Sequence, residues 1–147
     1  MNAQALARYQ VGETFVTPPH VIDESDVARF AEVTGDHHPQ HLDAEWAAQS
    51  RFGERIVHGL LVVSRAVGLL DLDPERVVAM RSIRDVSFKR PVPVGGTIQV
   101  RGHVEAVKEL DAEMTLATLA LYVLDADERI AVRGRIEALV RANGEAL

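Results

Sequence analysis

The chain has 147 residues, no cysteine and a formal net charge of −6, a length that suits one domain with a real core, expected to run over 1–147. The missing cysteines exclude disulfides and thiolate metal sites, and the acidic balance argues against a nucleic-acid partner, whose affinity rests mainly on phosphate neutralisation. No segment joins a basic start to an apolar stretch, and the longest apolar run, 56–70, is broken by His58, Ser64 and Arg65, so a cytoplasmic protein without a membrane partner is expected.

Residues 1–12 are mixed and expected to be peripheral. Thr14 to Thr17 is a short β-branched and aromatic run stopped by Pro18-Pro19, which predicts an edge strand. Ser25 or Asp23 can cap a helix that carries Val27, Phe30, Ala31 and Val33 at helical spacing and stops at Gly35. Asp43 is a good N-cap for a short helix over 44–52, closed by Gly53. The run 58–70 predicts a longer helix, apolar almost all round and therefore expected to be buried on all sides.

From Arg76 onward the hydrophobic period becomes two. Residues 77–89 read as extended, and Pro91, Pro93 and Gly95-Gly96 turn the chain into the next strand. Ile98, Val100, Val104 and Ala106 alternate with polar residues, as do Ile130, Val132, Ile136, Ala138 and Val140, so each strand has one wet face. The strand between them, 114–124, is apolar on both faces. Its surplus surface points to an incomplete monomer and hence to a two-fold homodimer or higher even oligomer. The last residues, 143–147, are expected to fray. The fold class is α+β, with a long sheet curling around one buried helix.

The chemistry is concentrated in Thr34 to Asp43, TGDHHPQHLD. Pro39 keeps a regular helix from running through both Asp36 and His41, so the stretch reads as a shaped loop holding an acid/base pair. A carboxylate and an imidazole held beside a buried helix can share a water and move its protons. The alternative is a turn network in which Asp36 binds backbone donors and His41 only packs. Later, His58-Gly59 opens the long helix, where unpaired N–H groups can receive an oxyanion and Gly59 carries no side chain to block it.

A metal held by the crowded histidines and acids is the competing reading of the loop. No HExxH or similar spacing supports it, and neither a metal nor a cofactor is expected. Ser64 lacks the G-x-S-x-G setting of a nucleophile. Trp46 is either a lid over the loop or ordinary packing. Arg81, Arg84, Lys89, Arg90 and Arg101 form the basic residues from which a local anion site could be drawn, and Arg84, Lys89 and Arg90 could meet the phosphates of a CoA.

Phe30-Ala31, Thr34-Gly35-Asp36, His38-Pro39, His41 and Asp43, followed by Ile56-Val57-His58-Gly59-Leu60-Leu61, resemble the MaoC-like dehydratases and R-specific enoyl-CoA hydratases. Phe88-Lys89-Arg90-Pro91-Val92 and Gly95-Gly96-Thr97 extend the likeness. The resemblance implies a hot-dog fold, a dimer, an acyl-CoA or acyl-carrier thioester substrate, and reversible hydration of a trans-2-enoyl thioester. It makes Asp36 and His41 the water-handling pair and the Gly59 N–H the oxyanion donor; His58, Ser64, Trp46, Lys89 and Arg90 are the expected substrate-binding residues. The chain departs from the family pattern at His38, where Asn is usual, at Ala44, where Pro is frequent, and at Val67, where some members carry Ser. A hot-dog thioesterase and a non-catalytic acyl-binding subunit are the alternative functions; an intact Asp36/His41 pair counts against both.

Overall fold

A computed structural model of the protein describes residues 3–142, so the expected fraying of 143–147 lies outside the described residues. The chain order is β1 (Thr14–Val16), β2 (His20–Val21), α1 (Glu24–Thr34), α2 (Pro39–Leu42), α3 (Ala44–Ala48), α4 (Gly59–Leu69), β3 (Val77–Phe88), β4 (Thr97–Glu109), β5 (Met114–Leu124) and β6 (Ile130–Arg141). The strands pair antiparallel in the order β1-β4-β5-β6-β3, with β2 also on β4. This is a hot-dog fold, in which α4 lies against one face of the sheet.

The core forms between Leu61, Val62, Val63 and Ala66 of α4 and the inward residues of the sheet, among them Ile98, Val100, Leu119, Val123, Ile136 and Val140. Fully burying one such aliphatic side chain stabilises the fold by about 1.5–3 kcal/mol. Alternation holds along β6 and the first part of β4, but a register shift between Val104 and Ala106 turns Ala106 out to solvent. Such a bulge adds one residue to a strand and moves the following side chains to the other face.

Several expectations need correction. Leu6 and Tyr9 are core residues rather than peripheral ones, because Gln4 bridges to Val16 and brings the N-terminal segment onto the sheet. The helix after Asp43 ends at Ala48; the Gln49 and Ser50 amides bond three residues back, to Trp46 and Ala47, and the chain turns to Gly53. Helix α4 is not buried all round: Leu60 is 66 % exposed, and Ser64 and Gly68, one and two turns on, face solvent with it. A single sheet layer covers one side of a helix, and apolar composition alone does not say which stripe is left.

Strand β5 is covered on both faces within one protomer. Thr118, Ala120 and Leu124 are buried as well as Ala117, Leu119, Leu121 and Val123. On its outer face Ala120 stands between His103 and Arg135, and Tyr122 between Arg101 and Arg133. Exposed apolar side chains lie elsewhere, among them Leu60 and, on the sheet-edge strand β3, Val78, Met80, Ile83 and Phe88, each about half exposed.

Candidate functional site

Helix α1 delivers the chain to the site. Asp23, not Ser25, caps it, in a reciprocal box with Asp26. Gly35, at φ 77°, ends it in the left-handed conformation that glycine adopts without steric cost. The Asp36 N–H then donates to Thr34 Oγ1, and Asp36 Oδ1 accepts the His38 N–H at 3.2 Å. Part of the turn network weighed for this stretch is therefore present, and the second carboxylate oxygen is left outside that bond.

Between Asp36 and Asp43 the chain is not simply a loop. Pro39–Leu42 forms one helical turn with Pro39 at its first position, where a missing N–H costs nothing. His41 rides on this turn. Its Nδ1 lies 2.7 Å from the Ile56 carbonyl, an acceptor, so Nδ1 carries the hydrogen and Nε2 presents a lone pair. Burial pushes the His41 pKa below its ordinary 6.5, with the neighbouring His58 and His38 acting in the same sense against the Ile56 bond and Asp36. A neutral imidazole is the form that can accept a proton from water.

His58 is 2 % exposed and precedes α4 as its N-cap residue without a side-chain cap bond. Its ring does other work. Nε2 lies 3.0 Å from the Asp36 carbonyl oxygen, the ring stacks on His41 with centroids 3.8 Å apart, and Phe30 packs against it at 4.9 Å. His58 thus ties the Asp36 segment to the start of α4 and forms a floor under His41. Gly59 follows at the first helical position, where the N–H has no intrahelical acceptor.

Asp36, His41, His58 and Gly59 meet at a cavity of about 510 Å³. Phe30, Thr34, Phe52, Ile56, Leu60 and Val62 line it from the helical side, and Phe88, Lys89, Arg90, Val92 and Val132 from the sheet side. The Phe88 ring crosses Gly59 so closely that a Cβ there would lie 2.6 Å from Phe88 Cε1. Lys89 and Arg90 are exposed at this cavity, and both backbone amides donate to the Ala131 carbonyl. Arg84 is paired with Glu137 at 2.8 Å and is not among the lining residues.

Two expected substrate contacts lie apart from the cavity within the protomer. Ser64 is exposed on the uncovered stripe of α4 because it falls one turn from Leu60 and opposite the core-facing residues. Trp46 is 45 % exposed and packs edge-on against His38 at 5.3 Å, behind the loop. Lys89 and Arg90 line the cavity as expected, whereas Val132 and the Ile56 carbonyl have no counterpart in the sequence reading. Val132 reaches the cavity through strand register, and a backbone carbonyl leaves no mark on residue type.

Asp36, His41 and His58 each offer a donor atom within 4.8 Å of the others. They fit a metal ion poorly. An imidazole binds metal in its ring plane, whereas rings stacked at 3.8 Å and 27° aim their lone pairs side by side rather than at one point. One nitrogen of each ring also faces a carbonyl oxygen. Asp36 and His41 share no direct side-chain hydrogen bond among the described residues, and a separation of this size is one a water can bridge. Among the described residues no helix is long and apolar enough to cross a membrane.

The family model "MaoC like domain" matches residues 7–123. Protein MaoC of Klebsiella aerogenes is 42 % identical over 93 residues, covering 63 % of this chain and 28 % of that protein, so the chain spans little more than a quarter of that relative. The 3-hydroxybutyryl-CoA dehydratase of Methylorubrum extorquens is 38 % identical over 120 residues, covering 82 % of this chain and 73 % of the relative. Among solved structures, the (R)-hydratase from A. caviae involved in PHA biosynthesis superposes with a TM-score of 0.75 at 31 % identity, over 96 % of this chain and all of that one. With this match over most of its length and the same architecture, the chain belongs to the MaoC-like domain family.

Proposed function

We propose that the protein is a hydro-lyase that adds water to trans-2-enoyl thioesters to give (R)-3-hydroxyacyl thioesters, or runs the reverse dehydration. The observation that carries this reading is that Asp36 and His41 bring donor atoms within 4.8 Å of each other and line the same cavity as Gly59, whose N–H at the start of α4 has no intrahelical acceptor. Relatives named as a 3-hydroxybutyryl-CoA dehydratase and an (R)-specific enoyl-CoA hydratase support it.

The thioester carbonyl accepts the Gly59 N–H, which draws electron density from the double bond. A water between Asp36 and His41 gives a proton to His41 Nε2 while its oxygen bonds to the β-carbon. The enolate oxygen that develops at Gly59 is held by an amide already in place, a contribution worth a few kcal/mol of barrier. The pair then returns a proton to the α-carbon on the same face, and the net change is addition of one water. Phe30, Phe52, Val62 and Val132 supply an apolar channel for the acyl chain, and Lys89 and Arg90 supply charge for the phosphates of CoA or of a carrier's prosthetic arm. The exposed β3 edge and the Leu60 stripe support a homodimer or higher even oligomer; a monomer by light scattering at micromolar concentration would remove that part of the reading. The absence of cysteine suits a cytoplasmic setting.

The test follows loss of the conjugated thioester's ultraviolet absorbance with trans-2-butenoyl-CoA and longer enoyl-CoAs. Asp36→Asn and His41→Ala are each expected to lower kcat by about 10²–10⁴-fold with unchanged circular dichroism. Parent-like rates in both variants would sink the assignment, release of free thiol would indicate a thioesterase, and silence across all chain lengths a binding subunit.

A further inference from the structure

We propose that His38 is a positioning residue for His41, its uncharged ring serving as the N-cap of the turn on which His41 sits. Pro39 has no N–H, so the first amide of α2 that needs an acceptor is that of Gln40, and His38 Nδ1 accepts it at 3.1 Å. A hydrogen-bonded path continues from there. The Gln40 carbonyl accepts the Ile56 N–H at 3.2 Å, and the Ile56 carbonyl accepts His41 Nδ1–H at 2.7 Å. The His38 N–H also donates to Asp36 Oδ1, so one residue is bonded toward both members of the pair. Trp46 packs edge-on against the ring, with centroids 5.3 Å apart.

Only the form with a lone pair on Nδ1 can cap. On protonation Nδ1–H would face the Gln40 N–H, donor against donor, and a cation would stand 6.1 Å from the His41 ring. The groups facing His38 are Asp36 from the preceding segment, His41 from its own turn and the uncharged Trp46 from α3. The turn therefore loosens when the His38 ring takes up a proton.

This inference rests on the hydratase reading for its kinetic readout only. His38→Asn keeps an acceptor that does not titrate, whereas His38→Phe keeps an aromatic ring against Trp46 and has no acceptor. At about pH 8, outside the range where histidine is charged, His38→Phe is expected to lose roughly 5- to 30-fold in kcat, the range a lost cap supplies, with little change in KM, and His38→Asn to recover most of it. The acid limb of kcat/KM, steeper than about one decade per pH unit in the parent, becomes shallower in His38→Asn. Independently of any activity, the Gln40 amide resonance should titrate together with the His38 ring in the parent and stay still in His38→Asn. A Gln40 amide that ignores the His38 titration overturns the cap whatever the protein's reaction. Parent-like kcat in His38→Phe, or superimposable acid limbs for the parent and His38→Asn, overturns the positioning role.

Discussion

Gly59→Ala separates what the first residue of α4 does for stability from what it does for chemistry. The added methyl would lie 2.6 Å from Phe88 Cε1 and 2.9 Å from Cδ1, inside contact distance. Phe88 is 53 % exposed, so its ring can rotate away, at a cost of about 0.5–1.5 kcal/mol if it leaves a staggered rotamer. Against this, Ala in a helix is favoured over Gly by up to about 1 kcal/mol. The two effects oppose each other, and urea unfolding should place the variant within about 1 kcal/mol of the parent. The chemistry should not survive as well. The N–H remains, but the methyl and the displaced ring stand where the thioester carbonyl must approach, and losing such a donor typically lowers kcat by about 10²–10³-fold. The assay is enoyl-CoA hydration beside urea midpoints for both proteins. A stable Gly59→Ala protein with parent kcat/KM would refute the idea that substrate uses this amide.

Two further expectations concern the fold and its protons. Gly102→Ala should be far worse for stability than Gly59→Ala, because its Cβ would fall on the Ala120 carbonyl oxygen and 2.6 Å from the buried Phe15 ring, neither of which can move aside. A loss above about 3 kcal/mol, or failure to fold, is expected, and a midpoint equal to the parent's would contradict the β4–β5 register. The depressed His41 pKa predicts the pH dependence of stability. Unfolded His41 binds its proton at the ordinary 6.5 and the folded form only lower, so its contribution to stability is constant above that value and declines as pH falls through it, until the folded group is protonated too. His41→Gln should have a flatter urea midpoint between about pH 7.5 and 5 than the parent, and parallel curves would show that His41 is not held neutral.

Local signals carried far in this chain. Period-two stretches marked β4 and β6, an extended run marked β3 and a run apolar on both faces marked β5, while Gly35 and Gly53 marked turns with a positive φ. Asp36, His41 and Gly59 stood out because residue type and short spacing constrain what a turn and a helix start can do. The four-residue turn at Pro39 was hidden by the same proline that flagged the site, since proline breaks a helix in its interior and opens one at its start.

What the linear pattern could not decide was which distant residues close the site. His58 reaches the Asp36 carbonyl and the face of His41 only because α1 and α4 converge there, and Val132 joins the cavity wall only through the pairing of β6 with β3 and β5. The uncovered Leu60–Ser64–Gly68 stripe, the outward turn of Ala106 and the ion pair that occupies Arg84 have the same origin. Residue type sets propensity and chemistry over a few neighbours. Contact partners across tens of residues depend on strand register and helix placement, which a single bulge or one uncovered helix face can shift without altering the hydrophobic pattern.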